Sequence, residues 1–201
     1  MKFSERSARA VSQGEAKAIQ AFTGVGIRMA ETTPRLQLFQ GDGTNFMLAD
    51  PMPYHVEGTE KRIVVPKGFV TDFASVPRLA RAVISVLGRH SIPSLVHDYL
   101  YWVQPCTRSK ADLIFKNAMT AYGSSAWERG LVYWMVRLLG WRFWRANRRE
   151  RAQGLIKILP EEYQRIPLNE DWEAYRRALF EAGVTEPPTE VERAALEIAS
   201  R

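Results

Sequence analysis

The spacing of the apolar residues changes at Pro77, and this change constrains the fold more than any other feature of the chain. From about residue 36 to residue 72, short apolar runs alternate with turns such as Gly41-Asp42-Gly43, a pattern typical of antiparallel strands. After Pro77 the apolar residues recur at helical spacing up to about residue 146. The sequence therefore predicts an α+β fold, in which a small antiparallel sheet packs beside a four-helix layer with helical arms at the N and C termini.

Residues at the ends of the apolar segments indicate where the four helices begin and end. The predicted helices are Leu79 to Leu87, a second from Ser91 or Ser94 to a stop before Pro105, a third from Thr107 or Ser109, and a fourth from about Ala126 to Ala146. The fourth is apolar on nearly all sides between Leu131 and Leu139. This predicts that it lies in the centre of the helical layer or against another subunit.

The distribution of charge divides the chain into a basic part and an acidic part. Residues 1–159 hold 23 basic and 12 acidic side chains, whereas residues 160–201 hold 5 and 10. We therefore predict an N-terminal helical arm at 1–30, a core α+β domain at 31–150 and an acidic helical extension at 151–201. The extension should contain helices at Asp171 to Glu181 and at Thr189 to Ala199. It could fold back on the arginine-rich stretch Arg142 to Arg151 or reach a neighbouring molecule.

Composition excludes several classes of protein. The single cysteine, Cys106, cannot form an internal disulfide or a zinc site of several cysteines. The start of the chain lacks the apolar segment of a signal peptide, and no apolar run approaches the roughly 20 residues that cross a bilayer. A formal charge of +6 is compatible with an anionic surface as partner. Nucleic acid is a weaker expectation, because the arginines between Arg142 and Arg151 match no recognition motif.

His97 is the centre of the chemically densest region. On a helix, Tyr101 lies one turn after His97 on the same face, whereas Asp98 points about 100° away. If the next helix runs back antiparallel, Asp112 in its first turns can reach the imidazole and fix its tautomer. We therefore predict His97, Asp112 and Tyr101 as catalytic residues, provided that a cleft reaches them.

Further polar residues surround this candidate site in sequence. Asp98 and Asp72 are predicted ligands of a divalent metal, calcium or zinc, although no H-x-x-x-H pair exists. Ser75 and His90 are predicted to support the others. Structural interpretations stay open for the whole set. Asp112 could cap a helix that starts at Ser109, Asp72 and Ser75 could bind turn amides, His97 could be an interior histidine, and His90 could be incidental.

Several ordered motifs resemble a known family. They are Val64 to Arg78, Val96 to Tyr101, Arg108 to Phe115, Met119, and Tyr133 to Trp144. Together they resemble domain-of-unknown-function family 1353 over roughly residues 45 to 145. This family is met mainly in tailed bacteriophages and prophages, so the resemblance implies a phage-encoded protein but no particular activity.

A second, local resemblance concerns two short motifs. His97-Asp98-x-x-Tyr101 followed by Ala111-Asp112-x-x-Phe115 is similar to the paired catalytic helices of phospholipase A2 proteins. It implies that His97 activates water, that Asp98 binds calcium, and that Asp112 with Tyr101 orients the histidine. The Gly-rich calcium loop of that family is missing, and the distance from position 97 to 112 is shorter.

Two functions from different classes follow. The first is a virion-associated structural protein of the tail, baseplate or head-tail region, synthesised in the host cytoplasm, whose terminal arms dock on other phage proteins or on copies of itself. The alternative is a hydrolase in which His97 activates water against an acyl ester or a cell-envelope bond.

Overall fold

The computed structural model describes residues 33–59, 61–73 and 90–190. It contains five short strands: β1 (Leu36–Leu38), β2 (Phe46–Leu48), β3 (Met52–His55), β4 (Arg62–Val65) and β5 (Val70–Thr71). Four α-helices follow in the described residues: α1 (Ser91–Val103), α2 (Arg108–Ala121), α3 (Ala126–Ala152) and α4 (Trp172–Glu181). These elements confirm the α+β fold.

The strands form two small antiparallel sheets rather than one. In the order β1-β2-β5, Phe46 of β2 pairs with both Leu38 and Thr71. The second sheet is the hairpin of β3 and β4, in which Met52 pairs with Val65. The hairpin side chains Met52 and Val65 are buried in the same apolar core as helix α1. The end of β5, in the first sheet, also lies against helix α1.

The predicted starts of α2, α3 and α4 are confirmed, whereas α1 follows His90 at its N-cap, so neither Ser91 nor Ser94 caps it. The end of α3 also differs from the prediction. Helix α2 begins after Thr107, whose side chain accepts a hydrogen bond from the Lys110 amide. Helix α3 begins at a capping box of Ser125 and Glu128 and continues to Ala152, beyond the predicted end near Ala146. The predicted helix at 79–87 and the arm at 1–30 lie outside the described residues, as does nearly all of the helix predicted at 189–199.

Helix α3 does not lie in the centre of the helical layer, so the first of the two alternatives was wrong, and contact with another subunit stays a prediction. One side is buried against α1 and α2, and it consists of Val132, Val136, Gly140 and Asn147. The opposite side exposes large apolar residues, among them Trp134 and Leu138. The run from Leu131 to Leu139 is therefore apolar on two sides of the helix. One side packs in the core, and the other is exposed.

The segment after α3 packs on the sheet. Ile156, Leu159, Trp172 and Leu179 form a second apolar cluster with residues of β2 and β5 and with Phe39. The Val70 amide donates to the Lys157 carbonyl at 2.7 Å. Two ion pairs join this segment to the basic end of α3, Arg176 with Glu150 at 2.8 Å and Arg151 with Glu186 at 3.2 Å.

Candidate functional site

Helices α1 and α2 bring His97 and Asp112 together. Gln104 adopts a left-handed conformation (φ 54°) that ends α1, and Thr107 caps α2 three residues later. The tight connection folds α2 back against α1, and His97 Nε2 lies 3.1 Å from Asp112 Oδ1. Asp112 is in the second turn after the Thr107 cap, so the alternative in which it caps a helix beginning at Ser109 was wrong.

The Asp112 carboxylate is bound by four side chains from three helices. Tyr101 donates its hydroxyl to Oδ1 at 2.6 Å, beside His97. Arg108 and Arg137 donate to Oδ2 at 3.1 and 2.9 Å. Both oxygens therefore accept two hydrogen bonds each, which satisfies a buried carboxylate and joins α1, α2 and α3 at one point.

The histidine and the carboxylate are enclosed. The side chains of His97 and Asp112 are both 0% exposed, whereas those of Arg108 and Arg137 are 22% and 26% exposed. The imidazole stacks on Phe115 with a centroid distance of 4.5 Å and lies 4.1 Å from the Tyr101 ring. Of these four side chains, only those of the two arginines are therefore partly exposed to solvent.

Burial and hydrogen bonding shift the pKa values in this cluster in definite directions. Burial lowers the pKa of His97 and outweighs the opposing effect of Asp112, so the imidazole is neutral at pH 7. Burial alone would raise the pKa of Asp112, but hydrogen bonds from His97, Tyr101 and Arg137 lower it below its ordinary value. Burial, followed by the charge of Asp112, raises the pKa of Tyr101.

These protonation states fix the tautomer of His97. An ionised carboxylate only accepts hydrogen bonds, so the neutral imidazole must carry its proton on Nε2, which faces Asp112. Nδ1 then carries no proton and can only accept a hydrogen bond, as the nitrogen of a general base does. The protonation states are those of a His–Asp catalytic dyad. Because the imidazole is buried, a reactant reaches Nδ1 only if neighbouring residues move.

Asp98 points away from this cluster, as its position on the helix predicts. The Thr71 hydroxyl donates to Asp98 Oδ2, and the same hydroxyl oxygen accepts a hydrogen bond from the Phe73 amide at 3.0 Å. The contact ties the end of β5 to α1. Asp98 is nearly buried, at 8% exposure.

His90 contacts the turn between α2 and α3. His90 precedes α1, and its Nδ1 lies 3.2 Å from the Ser124 hydroxyl in the turn between α2 and α3. Asp72 is half-buried after β5, and Ser75 lies outside the described residues. Within ranges 33–59, 61–73 and 90–190, no three His, Cys, Asp or Glu residues come close enough to hold a metal ion. The calcium or zinc ligation that we predicted for Asp98 and Asp72 stays a prediction.

Sequence reasoning missed the two arginines that complete the cluster. Arg108 could have been found, because it stands four residues before Asp112 on the same helix face. Arg137 gives no local signal, since it comes from α3 and meets Asp112 only in the tertiary structure.

The described residues thus form an α+β domain whose helices are joined by an enclosed His–Asp–Arg network. Residues 46–136 match the family described as "Protein of unknown function (DUF1353)". The match confirms, over this part of the chain, the resemblance that the motifs predicted. Searches of curated proteins and of solved structures found no match.

Proposed function

We propose that this chain is a virion-associated docking protein of a tailed phage, placed in the tail, baseplate or head-tail region. In this proposal the DUF1353 domain is a rigid body that presents a binding face. The terminal arms predicted from the sequence attach it to other phage proteins or to copies of itself. The phage origin comes from the resemblance described above.

The observation that carries this proposal is the contrast between the His97 cluster and helix α3. The polar cluster is closed, and both oxygens of its Asp112 carboxylate accept two hydrogen bonds, so it resembles a structural joint. Helix α3 instead exposes Trp127, Trp134, Leu138 and Trp141 on one side, with exposed fractions of 66%, 63%, 67% and 44%. Contiguous large apolar side chains at a surface are typical of interaction sites.

The direct test is the protein content of purified phage particles. If the proposal is right, the chain is present at a fixed copy number per particle and stays bound through a density gradient. A lysis protein encoded by the same phage is the matched control, because it is produced in the same cell and should be lost. Particles that lack the chain would contradict the proposal.

A second candidate function is a hydrolase that uses His97 to activate water against an acyl ester or a cell-envelope bond. One observation favours it: the neutral imidazole donates through Nε2 to Asp112, with Tyr101 on the same carboxylate oxygen. The order of these residues along two antiparallel helices is also that of the phospholipase A2 motif. Hydrolysis would require the enclosed Nδ1 to become accessible.

Acyl-ester and phospholipid hydrolysis by the purified chain, compared with His97→Gln and Asp112→Asn, tests this candidate. Loss of turnover in both variants with a retained unfolding transition would support it. His55→Gln is the control, because His55 lies in β3 outside the cluster. Activity that is absent in the unchanged chain, or that falls only in proportion to lost folded protein, would overturn it.

A further inference from the structure

Helix α3 carries a row of exposed apolar residues that we call the Trp face: Trp127, Trp134, Leu138 and Trp141. We propose that the Trp face binds the surface of an anionic lipid bilayer, with the arginines that follow it placed among the lipid headgroups. The inference deepens the proposed function by naming the partner of the docking face. Binding to vesicles can nevertheless be measured whether or not the chain belongs to a particle.

The members of the Trp face point in one direction. At about 100° per residue, positions 127, 134, 138 and 141 lie within roughly 60° of one another around the helix axis. The row extends over 15 residues, and the 14 intervals between its first and last residue make it about 21 Å long. A straight row of this length can touch a flat surface along its whole extent.

The side chains of the Trp face do not pack in the core of the protein. Val132, Val136 and Gly140 are buried on the other side of α3, where they contact α1 and α2. The helix begins at its own capping box and its buried side is complete without the tryptophans. The packing of α3 in the protein therefore does not depend on the side chains of the Trp face.

Charge identifies the partner. Helix α3 contains seven arginines and two glutamates. Glu128 is held in the capping box and Glu150 pairs with Arg176, so neither neutralises the Trp face. Exposed Arg145 continues the row at the same angle, and Arg149 stands about 40° further round the helix.

The guanidinium groups and the indoles are arranged as a bilayer interface requires. Arg142 and Arg145 lie over the Trp141 ring, at 5.6 and 5.3 Å from its centroid. Tryptophan is favoured at the level of lipid headgroups, and arginine can cover apolar surface while its charge reaches phosphate. A helix with this combination lies in the plane of the interface, with its apolar side at the boundary of the acyl chains.

Other partners fit the face less well. A second copy would bring two strongly cationic helices together, which electrostatic repulsion opposes. Nucleic acid would satisfy the arginines but would leave Leu138, at 67% exposure, without an apolar partner. No helix among the described residues could span a membrane, so this binding would be to the bilayer surface.

The test is co-sedimentation of the full chain with vesicles of phosphatidylcholine alone or mixed with phosphatidylglycerol. We expect binding only to the mixed vesicles, with a blue shift of tryptophan fluorescence and a loss of affinity as salt is added. Trp134→Ala should weaken binding about tenfold, because the indole leaves the interface. Arg145→Gln with Arg149→Gln should weaken it about 30-fold.

Matched variants outside helix α3 distinguish this surface from nonspecific binding. Leu168→Ser removes an apolar side chain that is 79% exposed, and Arg177→Gln removes an exposed charge of α4. Both should bind as the unchanged chain does. The proposal is overturned if mixed vesicles are not bound, if both vesicle types bind equally, or if the control variants lose as much affinity.

Two further outcomes would assign the Trp face to another partner and reject the lipid. One is a blue-shifted, concentration-dependent dimer without vesicles that Trp134→Ala dissociates. The other is binding to duplex DNA that prevents vesicle binding and is lost in the double arginine variant. Absence of the chain from phage particles would overturn the proposed function but leave the vesicle result intact.

Discussion

The Tyr101 hydroxyl lies against the backbone of Gly140, where α1 crosses α3. A Cβ atom at position 140 would collide with this hydroxyl and come within 3.3 Å of the ring carbon that carries it. Tyr101 cannot withdraw freely, because its hydroxyl donates to Asp112 at 2.6 Å. Gly140 is therefore required by the close approach of the two helices.

We expect Gly140→Ala to destabilise the protein by about 1 to 3 kcal/mol, since overpacking displaces Tyr101 from the carboxylate. Urea unfolding measures this free energy. Gly130→Ala in the same helix is the control, because a Cβ there meets nothing within 4 Å. That variant should gain up to about 1 kcal/mol from helix propensity. Equal effects of the two substitutions would contradict the role given to Gly140.

Replacing Asp112 tests whether the cluster joins the three helices. Asp112→Asn removes the charge that Arg108 and Arg137 bind and places amide hydrogens among donors. We expect a loss of about 2 to 4 kcal/mol, toward the lower end because both arginines are partly exposed to water. Asp50→Asn, which breaks the exposed pair with Arg35, should leave the urea midpoint nearly unchanged. A similarly small effect at Asp112 would show that the network is dispensable.

The lowered pKa of His97 predicts how stability depends on pH. Below about pH 6.5 the unfolded chain protonates this histidine, while the folded protein keeps it neutral. Folding stability should therefore be fully present above that pH and fall as the pH decreases toward the lower, folded pKa. The slope from this one group cannot exceed about 1.4 kcal/mol per pH unit.

Urea unfolding at a series of pH values between 7 and 5 measures that slope, and His97→Gln should reduce it. The lowered pKa of Asp112 acts in the same direction but only below about pH 4, so the two contributions occupy separate ranges. A slope that survives in His97→Gln would assign the effect to another group.

The meeting of His97 and Asp112 could be predicted because it depends on local rules. Helical spacing placed Tyr101 beside His97, and a short connection forced the next helix to run back. With Ser109 as the cap, Asp112 would cap its own helix. With Thr107 as the cap, Asp112 lies further along α2 and binds His97 of the neighbouring helix. The sequence left that choice open, since both residues are good caps.

Other features could not be predicted because they depend on tertiary contacts. Arg137 reaches Asp112 across 25 residues, and nothing in its local sequence distinguishes it from the other arginines of α3. The apolar run Leu131 to Leu139 contains both a core side and an exposed side, which periodicity alone cannot separate. Burial could not be read from the sequence either, although it decides between a reactive histidine and a structural one.

Glu186 provides the last prediction, because one carboxylate holds the end of the described chain on the domain. Its Oε1 accepts from Trp102 Nε1 at 2.7 Å and from the amides of Lys157 and Ile158, both at 2.9 Å. Its Oε2 accepts from Arg151 at 3.2 Å, and the side chain is only 11% exposed.

We expect Glu186→Ala to lower the free energy of unfolding by about 1 to 3 kcal/mol, since it leaves buried donors without an acceptor. Hydrogen exchange should then rise in residues 184–190 before the rest of the domain. Glu181→Gln is the control, because Glu181 is exposed at the end of α4; unchanged exchange at 184–190 in Glu186→Ala would mean that the apolar contacts of this segment hold it in place without the carboxylate.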